Sequence, residues 1–439
     1  MFGYYLQNAT RSMRRNPALT TLVVMAIAMG IGVSITMTTV FTIMSGNPIP
    51  ERSDELFAVQ LDSWNPLRPF DSDRPERAPH QLTWKDANAL LEAGAADRQV
   101  GMFEAQLIVQ PEGEAGLPFE VSARVTSSDF FPMFQPPFQY GSGWSRIQES
   151  NAAQVIVLTQ AINDRLFGGE NSVGRELVIN ERRFTVVGVL ETWEPTPRFY
   201  DVINSGLSDV NEVFIPLSLT PVMEIRSAGS DWGWKSEPIR TFGDWLNSES
   251  VWLQYWAELP AESDQSAYLA HLDAYVTEQK KLGRFERPLN NQIHDVMDWM
   301  AYHEVVARDV RVLVGLGYLF LVVCLISSIS ILLTKFEGRA GEISLRRALG
   351  ASRSQIISQN LLEVGLIGAL GGVTGLALTA AFLSGFKSMI TRAPDALFRL
   401  DATMVIVAIG IAILTSLVAG IYPAMKTCAV APAQNLKTQ

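Results

Sequence analysis

Residues 18–44 read ALTTLVVMAIAMGIGVSITMTTVFTIM, 27 consecutive positions without a charge. Crossing a bilayer takes roughly 20 predominantly apolar residues, and a buried helix of a water-soluble protein rarely runs that far uncharged. Three further runs qualify, residues 310–334, 356–383 and 404–422. Four such runs in one chain exclude a wholly soluble fold and make topology the first question. The first run is too long for a cleaved signal peptide, and Ser45-Gly46-Asn47-Pro48 offers no small-x-small cleavage site, so it reads as a retained signal-anchor.

Charge orients the spans. The 439 residues include 35 basic and 45 acidic side chains, a formal net charge of −10. Residues 46–311 hold 40 of the acids and 22 of the bases, which is −18, and the remainder is +8. An acidic chain of this kind is not a nucleic-acid binder, and a division this sharp places parts of one polypeptide in different solvents. Arg11, Arg14 and Arg15 precede the first span with no acid among them, so the positive-inside tendency puts residues 1–17 in the cytoplasm. It follows that 45–309 lies outside, 335–355 inside, 384–403 outside and 423–439 inside. The inner loop agrees, with Lys335, Arg339, Arg346, Arg347 and Arg353 against Glu337 and Glu342; the short outer loop, with three bases of its own, is placed by parity. The two cysteines, Cys324 and Cys428, both fall outside the 45–309 domain, which therefore contains no disulfide.

That domain is expected to be α+β. Leu56–Leu61 and Gln99–Gln110 read as strands, and Thr83 caps a helix running to Gly94 between them. Phe119–Val125 alternates as a half-buried strand does, Val155–Leu158 leads into a helix over Gln160–Phe167, and Glu176–Asn180 with Arg183–Val189 reads as a hairpin. This pattern suggests a mixed α/β unit formed by 51–116 and 250–288, with a β-rich subdomain inserted at 117–249. A stalk at 289–309 would follow, helical by its apolar spacing, continuing the second span outward under a cover supplied by a second copy or a partner.

The missing motifs narrow the function. None of the eight lysines follows a glycine, so there is no G-x-x-x-x-G-K-[ST] phosphate loop. His303-Glu304 begins an H-E-x-x-H pattern, but Ala307 stands at the second histidine position, and Gly141-Ser142-Gly143 is not a nucleophile elbow. Neither a catalytic nor a metal-ligating set is expected among these residues. The inner segments are also too short to fold as enzymes by themselves.

The informative positive stretch is the inner loop, Glu342-Ile343-Ser344-Leu345-Arg346-Arg347-Ala348-Leu349-Gly350-Ala351-Ser352-Arg353. Glu342 and Arg346 stand i, i+4 in the favourable order on a helix, Ile343, Ala348 and Leu349 add a small apolar surface, and Gly350 can end the turn. From these residues alone, an ordinary basic juxtamembrane loop is an equal reading.

This loop, followed by Gln359-Asn360-Leu361-Leu362-Glu363, resembles the cytoplasmic coupling segment of FtsX-like ABC transporter permeases of the MacB class. Val155-Ile156-Val157-Leu158-Thr159, Arg165-Leu166-Phe167-Gly168-Gly169, Val173-Gly174-Arg175 and Phe184-Thr185-Val186-Val187-Gly188-Val189 resemble the MacB periplasmic core domain, and Gly420-Ile421-Tyr422-Pro423-Ala424 resembles the end of the last span. The resemblance implies a four-helix bacterial inner-membrane protein with both termini cytoplasmic and a large periplasmic α+β domain between helices one and two. It implies a permease dimer, with itself or with a related chain, that passes ATPase movement to the periplasm and works with a periplasmic adaptor and an outer-membrane channel. About 17 residues precede the first span, where MacB itself carries its ATPase, so the ATPase is expected on a separate subunit that binds the ATP and Mg. The chain would then be a non-catalytic subunit with no cofactor of its own. Lipoprotein release, or transmission of a signal to a periplasmic partner, are the alternative functions.

Three groups of residues are singled out. Glu342, Ile343, Arg346, Arg347, Leu349, Gly350 and Arg353 are the candidate ATPase contact. Ala26, Gly30 and Ser34, with Gly368, Gly371, Gly372 and Gly375, form small-xxx-small faces that suit intrachain packing or a dimer seam equally. Phe130, Phe131, Phe134, Phe138 and Trp144 form a Pro-rich aromatic stretch that is either domain core or a contact for an adaptor or cargo; Trp232, Trp234 and Trp245 allow the same two readings. Glu363, alone in its span, either pairs with the basic loop or reaches the interface.

Overall fold

The computed structural model describes residues 2–111, 117–206, 208–306, 308–389 and 402–429. The chain separates into two compact units, one made of Met1–Ser45 and Val306–Gln439 and the other of Gly46–Val305. The first begins with a short helix, α1 (Phe2–Arg15), and continues into the long apolar α2 (Pro17–Ser45). Pro17 occupies the first position of α2, where its missing N–H leaves nothing unsatisfied.

The second unit is one ten-stranded sheet with helices on both faces. Its first part is β1 (Leu56–Gln60), α3 (Trp84–Ala93), β2 (Arg98–Gln110), β3 (Phe119–Thr126), α4 (Phe130–Phe134) and β4 (Phe138–Gly141). Next come α5 (Arg146–Ser150), β5 (Val155–Leu158), α6 (Gln160–Phe167), β6 (Glu176–Ile179), β7 (Arg182–Leu190), α7 (Val202–Ser205) and β8 (Val213–Pro216). The unit closes with α8 (Leu219–Met223), α9 (Phe242–Leu246), β9 (Gln254–Glu258), α10 (Glu262–Lys281), β10 (Gln292–Asp295) and α11 (Val296–Tyr302).

Local chemistry sets several of these boundaries. Thr83 accepts from the Asp86 amide at the start of α3, and Gly94 ends that helix at φ 59°, where a side chain would be strained. The expected hairpin is present as β6–β7, paired Ile179 to Arg182 across Asn180 and Glu181, both at positive φ as a two-residue I′ turn requires.

The strands run β10-β1-β9-β2-β3-β8-β5-β7-β4, with β6 pairing β2 and β7. The strands of the expected mixed unit fall at one end of this order and those of the expected insert at the other. They share one sheet, however, joined by an antiparallel β2–β3 ladder of eight residue pairs, so the insert is continuous with its host. Period-two alternation sends Phe57, Val59, Phe103, Ile156, Val213, Tyr255 and Ala257 into one core and Ala58, Met102, Val157, Phe214 and Trp256 into the other. Helices α3, α6 and α10 cover the first face, and α4 and α11 the second.

The helical stalk expected at 289–309 is corrected. Residues Gln292–Asp295 form β10 and pair antiparallel with β1, and α11 turns back so that Val296, Trp299 and Met300 enter the second core. The apolar spacing reflected burial within the domain itself, and no second copy is needed to cover it.

The chain returns to the first unit as α12 (Arg308–Glu337), α13 (Ala340–Ala348), α14 (Arg353–Met389) and α15 (Ala402–Ala429). Among the described residues, four helices are long and apolar enough to cross a membrane, over Pro17–Ser45, Val310–Glu337, Arg353–Gly385 and Val405–Thr427, and the protein is a multi-pass membrane protein. Most of the outer loop expected at 384–403, and the end of the terminal segment expected at 423–439, lie outside the described residues. Helix α15 continues through Pro423 rather than ending at 422. Its core repeats every fourth residue of α2, with Val23, Ile27, Ile31 and Ile35 packed among Leu321, Leu332, Val364, Ile367 and Ala412.

Candidate coupling site

The inner loop is a helix between two turns. After α12 ends at Glu337, Gly338 and Arg339 break the helix, and α13 begins at Ala340. Beyond Ala348 the Gly350 amide bonds the Arg347 carbonyl, and Gly350 sits at φ 101°, a conformation that favours glycine. Ser352 and Gln355 then cap each other's backbone to start α14. The sequence therefore presents a nine-residue helix bounded by glycines on both sides.

Glu342 and Arg346 form the expected i, i+4 pair at 2.7 Å. Glu342 also meets Arg15 of α1 at 3.1 Å, and Arg346 reaches Gln359 of α14 at 3.2 Å. Ile343 and Arg347 are half-buried, and Arg353 is exposed. Leu345 and Leu349 lie one turn apart at 53% and 81% exposure, an apolar pair among charges. Leu345 was not singled out from the sequence, although its i, i+4 relation to Leu349 was there to be read.

Beneath the loop, Glu363 is buried and ion-paired. Its carboxylate meets Lys335 Nζ at 2.7 Å and Arg339 Nη1 at 3.0 Å, so pairing rather than reach to the interface describes it. Lys335 lies within α12 rather than in the loop where it was expected. The cluster of Lys335, Arg339 and Glu363 was visible in sequence only as one acid in a span near a basic loop; the partners needed the fold.

The small-residue faces lie between helices of this chain. A Cβ built on Gly30 would stand 2.9 Å from Leu321 Cδ1, one on Gly371 2.7 Å from Ile27 Cγ2, one on Gly372 2.9 Å from Ala412 Cβ and one on Gly375 3.1 Å from Ile31 Cβ. On Gly368 it would meet the Ala412 carbonyl at 2.9 Å. Ser34 donates to the Gly317 carbonyl across the α2–α12 contact at 2.9 Å, and Ala26 is half-buried.

Of the two readings left open for the aromatic stretch, the structure takes the domain core. Phe130, Phe131, Phe134 and Trp144 are buried in the second core and Phe138 is half-buried against it. Phe130 and Phe131 pack on Phe214 of β8, and Trp144 Nε1 donates to Glu149, whose carboxyl burial pushes above its usual range. These rings form the lid of the second sheet face, with Phe138 at its half-exposed margin. Trp245 is buried, Trp234 is half-buried, and Trp232 is 53% exposed. Among the described residues, no three His, Cys, Asp or Glu side chains are placed to hold a metal ion.

The profile of the MacB-like periplasmic core domain matches residues 20–273, and that of the FtsX-like permease C-terminal region matches residues 314–432. The macrolide export ATP-binding/permease protein MacB of Rhodospirillum rubrum is 26% identical over 449 aligned residues, covering 100% of this chain and 61% of that protein. The pyoverdine export ATP-binding/permease protein PvdT of Pseudomonas entomophila is 26% identical over 364 residues, 82% of this chain and 49% of that one. The periplasmic region of MacB from Actinobacillus actinomycetemcomitans superposes with a TM-score of 0.37 at 14% identity, over 59% of this chain and 96% of that structure. The chain spans about half the length of the curated relatives it matches.

Proposed function

The chain belongs to the MacB-like, FtsX-type ABC transporter permeases, and from that premise we propose that it is the membrane subunit that turns ATP hydrolysis into movement of its α/β domain. The 439 residues contain no phosphate loop, so the hydrolysing site belongs to an ABC ATPase outside them. The reading is carried by α13, a short helix bounded by glycines whose exposed face offers Leu345 and Leu349 among Glu342, Arg346, Arg347 and Arg353. An apolar pair ringed by charges, on a helix too short to be stable alone, suits docking into a groove on a folded partner.

On this reading the N- and C-termini face the cytoplasm of a bacterial inner membrane and the α/β domain faces the periplasm. The driven cargo is exported with a periplasmic adaptor and an outer-membrane duct. The names of the relatives make a macrolide-like or siderophore-like molecule the first class of cargo to try. The chain itself supplies transmission and shape, while ATP and Mg are bound on the ATPase.

The test is reconstitution of the permease with its ATPase in nanodiscs. Arg346→Glu with Arg347→Glu should leave membrane insertion intact and abolish the permease-dependent stimulation of hydrolysis. Stimulation equal to wild type would remove α13 from the ATPase contact.

A further inference from the structure

Helix α13 is fixed in place by charge more than by apolar packing. Of its nine residues only Ser344 is buried. The residue immediately ahead of it, Arg339, donates Nη1 to Glu363 Oε2 at 3.0 Å and Nη2 to the Ser12 carbonyl of α1 at 3.0 Å. The other oxygen of the same carboxylate lies 2.7 Å from Lys335 Nζ, and Lys335 in turn donates to Thr20 Oγ1 of α2 at 2.9 Å. One carboxylate on α14 thus gathers the end of α12 and the start of α13, and through their second bonds α1 and α2.

Burying charges is a poor route to stability, since desolvation is of the same order as the attraction regained. Among the described residues of the membrane unit, Glu363 is the only buried acid and Lys335 the only buried base. What such a cluster gives is a single geometry, because any displacement of one member leaves another charge unpaired in an apolar surrounding. A helix flanked by Gly338 and by Gly350 at positive φ has a pivot on each side, and without a fixed point a push on it would be absorbed there.

We propose that Glu363 is the positioning residue that makes α13 move as one body with α12 and α14, so that displacement of α13 reaches the membrane helices instead of being lost in its flanking turns. The inference rests on the coupling function given above.

The experiment uses the full chain with its ATPase in nanodiscs. Cys324 and Cys428 are replaced by Ala, and spin labels are placed on Leu22→Cys in α2 and Gly341→Cys in α13, both exposed positions. The variant Lys335→Met with Glu363→Gln keeps side-chain length while removing both fully buried charges, and it leaves Arg339, which is partly exposed, its bond to the Ser12 carbonyl and an amide oxygen at position 363 as acceptor. In wild type the inter-label distance is narrowly distributed and shifts on nucleotide binding. In the neutral variant the distribution broadens and the shift is lost while the ATPase still co-purifies. Permease-stimulated hydrolysis then falls roughly tenfold, within the range of coupling between linked sites. Glu363→Asp, which keeps the charge, should restore part of both signals.

A neutral variant with the wild-type distance width and nucleotide shift overturns the proposal. If the wild-type chain neither binds nor stimulates an ATPase, the coupling function itself fails. The nucleotide-free distance distribution still decides on Glu363 in that event, since a width unchanged in the neutral variant refutes the fixed point on its own.

Discussion

Single side chains show where sequence reading succeeds and where it stops. His80, His294 and His303 are 9 to 223 positions apart and carry no ligand spacing, yet the fold stacks them against Trp299 and Tyr302, with His80 and His303 ring centroids 4.4 Å apart. Burial, with Arg77 adding to it, pushes His80 down to about 4, and burial beside His80 pushes His303 down to about 2. Burial also lowers His294, against the opposing pull of Asp298 and Asp295. A histidine held below its unfolded value is neutral in both states above about pH 6.5 and costs nothing there. Below that, the unfolded chain takes up protons that the folded one refuses, so stability falls by up to about 1.4 kcal/mol per pH unit for each such imidazole until its folded value is reached. Urea midpoints followed by tryptophan emission should therefore drop between pH 6.5 and about 4, and His303→Phe should flatten that slope relative to wild type. An unchanged slope would mean that carboxylates alone govern the acid limb. Phe130 and Phe131 teach the converse lesson. Their composition was legible, but whether a cluster of rings is lid or landing site depends on Phe214, more than 80 positions further along the chain.

At the scale of elements, the four spans, the hairpin and the capped α3 were legible because each is determined within its own residues, by length, alternation or cap chemistry. The segment 289–309 was not, since a strand of four residues followed by a helix of seven carries too little periodicity to declare itself, and only pairing with β1 makes β10 a strand. The glycines of α14 were readable as close-approach positions but not their partners. Gly368 faces α15 so closely that an added methyl would lie 2.9 Å from the Ala412 carbonyl, whereas at Gly410 it meets nothing within 4 Å. Gly368→Ala should destabilise the helix bundle by about 1–3 kcal/mol, the usual range for overpacking. Gly410→Ala should be neutral or slightly stabilising. The buried Cys324 supplies the assay, as its reaction with a thiol dye during heating in a Cys428→Ser background reports opening of the bundle. Equal midpoints for the two variants would contradict the packing described.

The whole molecule is two units of opposite character, and the charge division already traced their boundary. All ten tryptophans belong to the Gly46–Val305 unit, so their emission reports that unit alone, while the helical signal is dominated by the membrane spans. Urea should shift tryptophan emission before helical ellipticity is lost in detergent; coincident curves would indicate a single cooperative body. The order of strands has a further consequence. The chain enters the α/β unit just before β1 and leaves it just after β10 and α11, and β1 and β10 are neighbours at one end of a nine-strand path. The other end of the path closes on itself, because β6 pairs both β2 and β7, so that β2, β3, β8, β5, β7 and β6 form a ring of six strands. A ring leaves no free edge from which to peel, so backbone amides of β5 and β7 should exchange with solvent more slowly than those of β10 at the open end of the sheet.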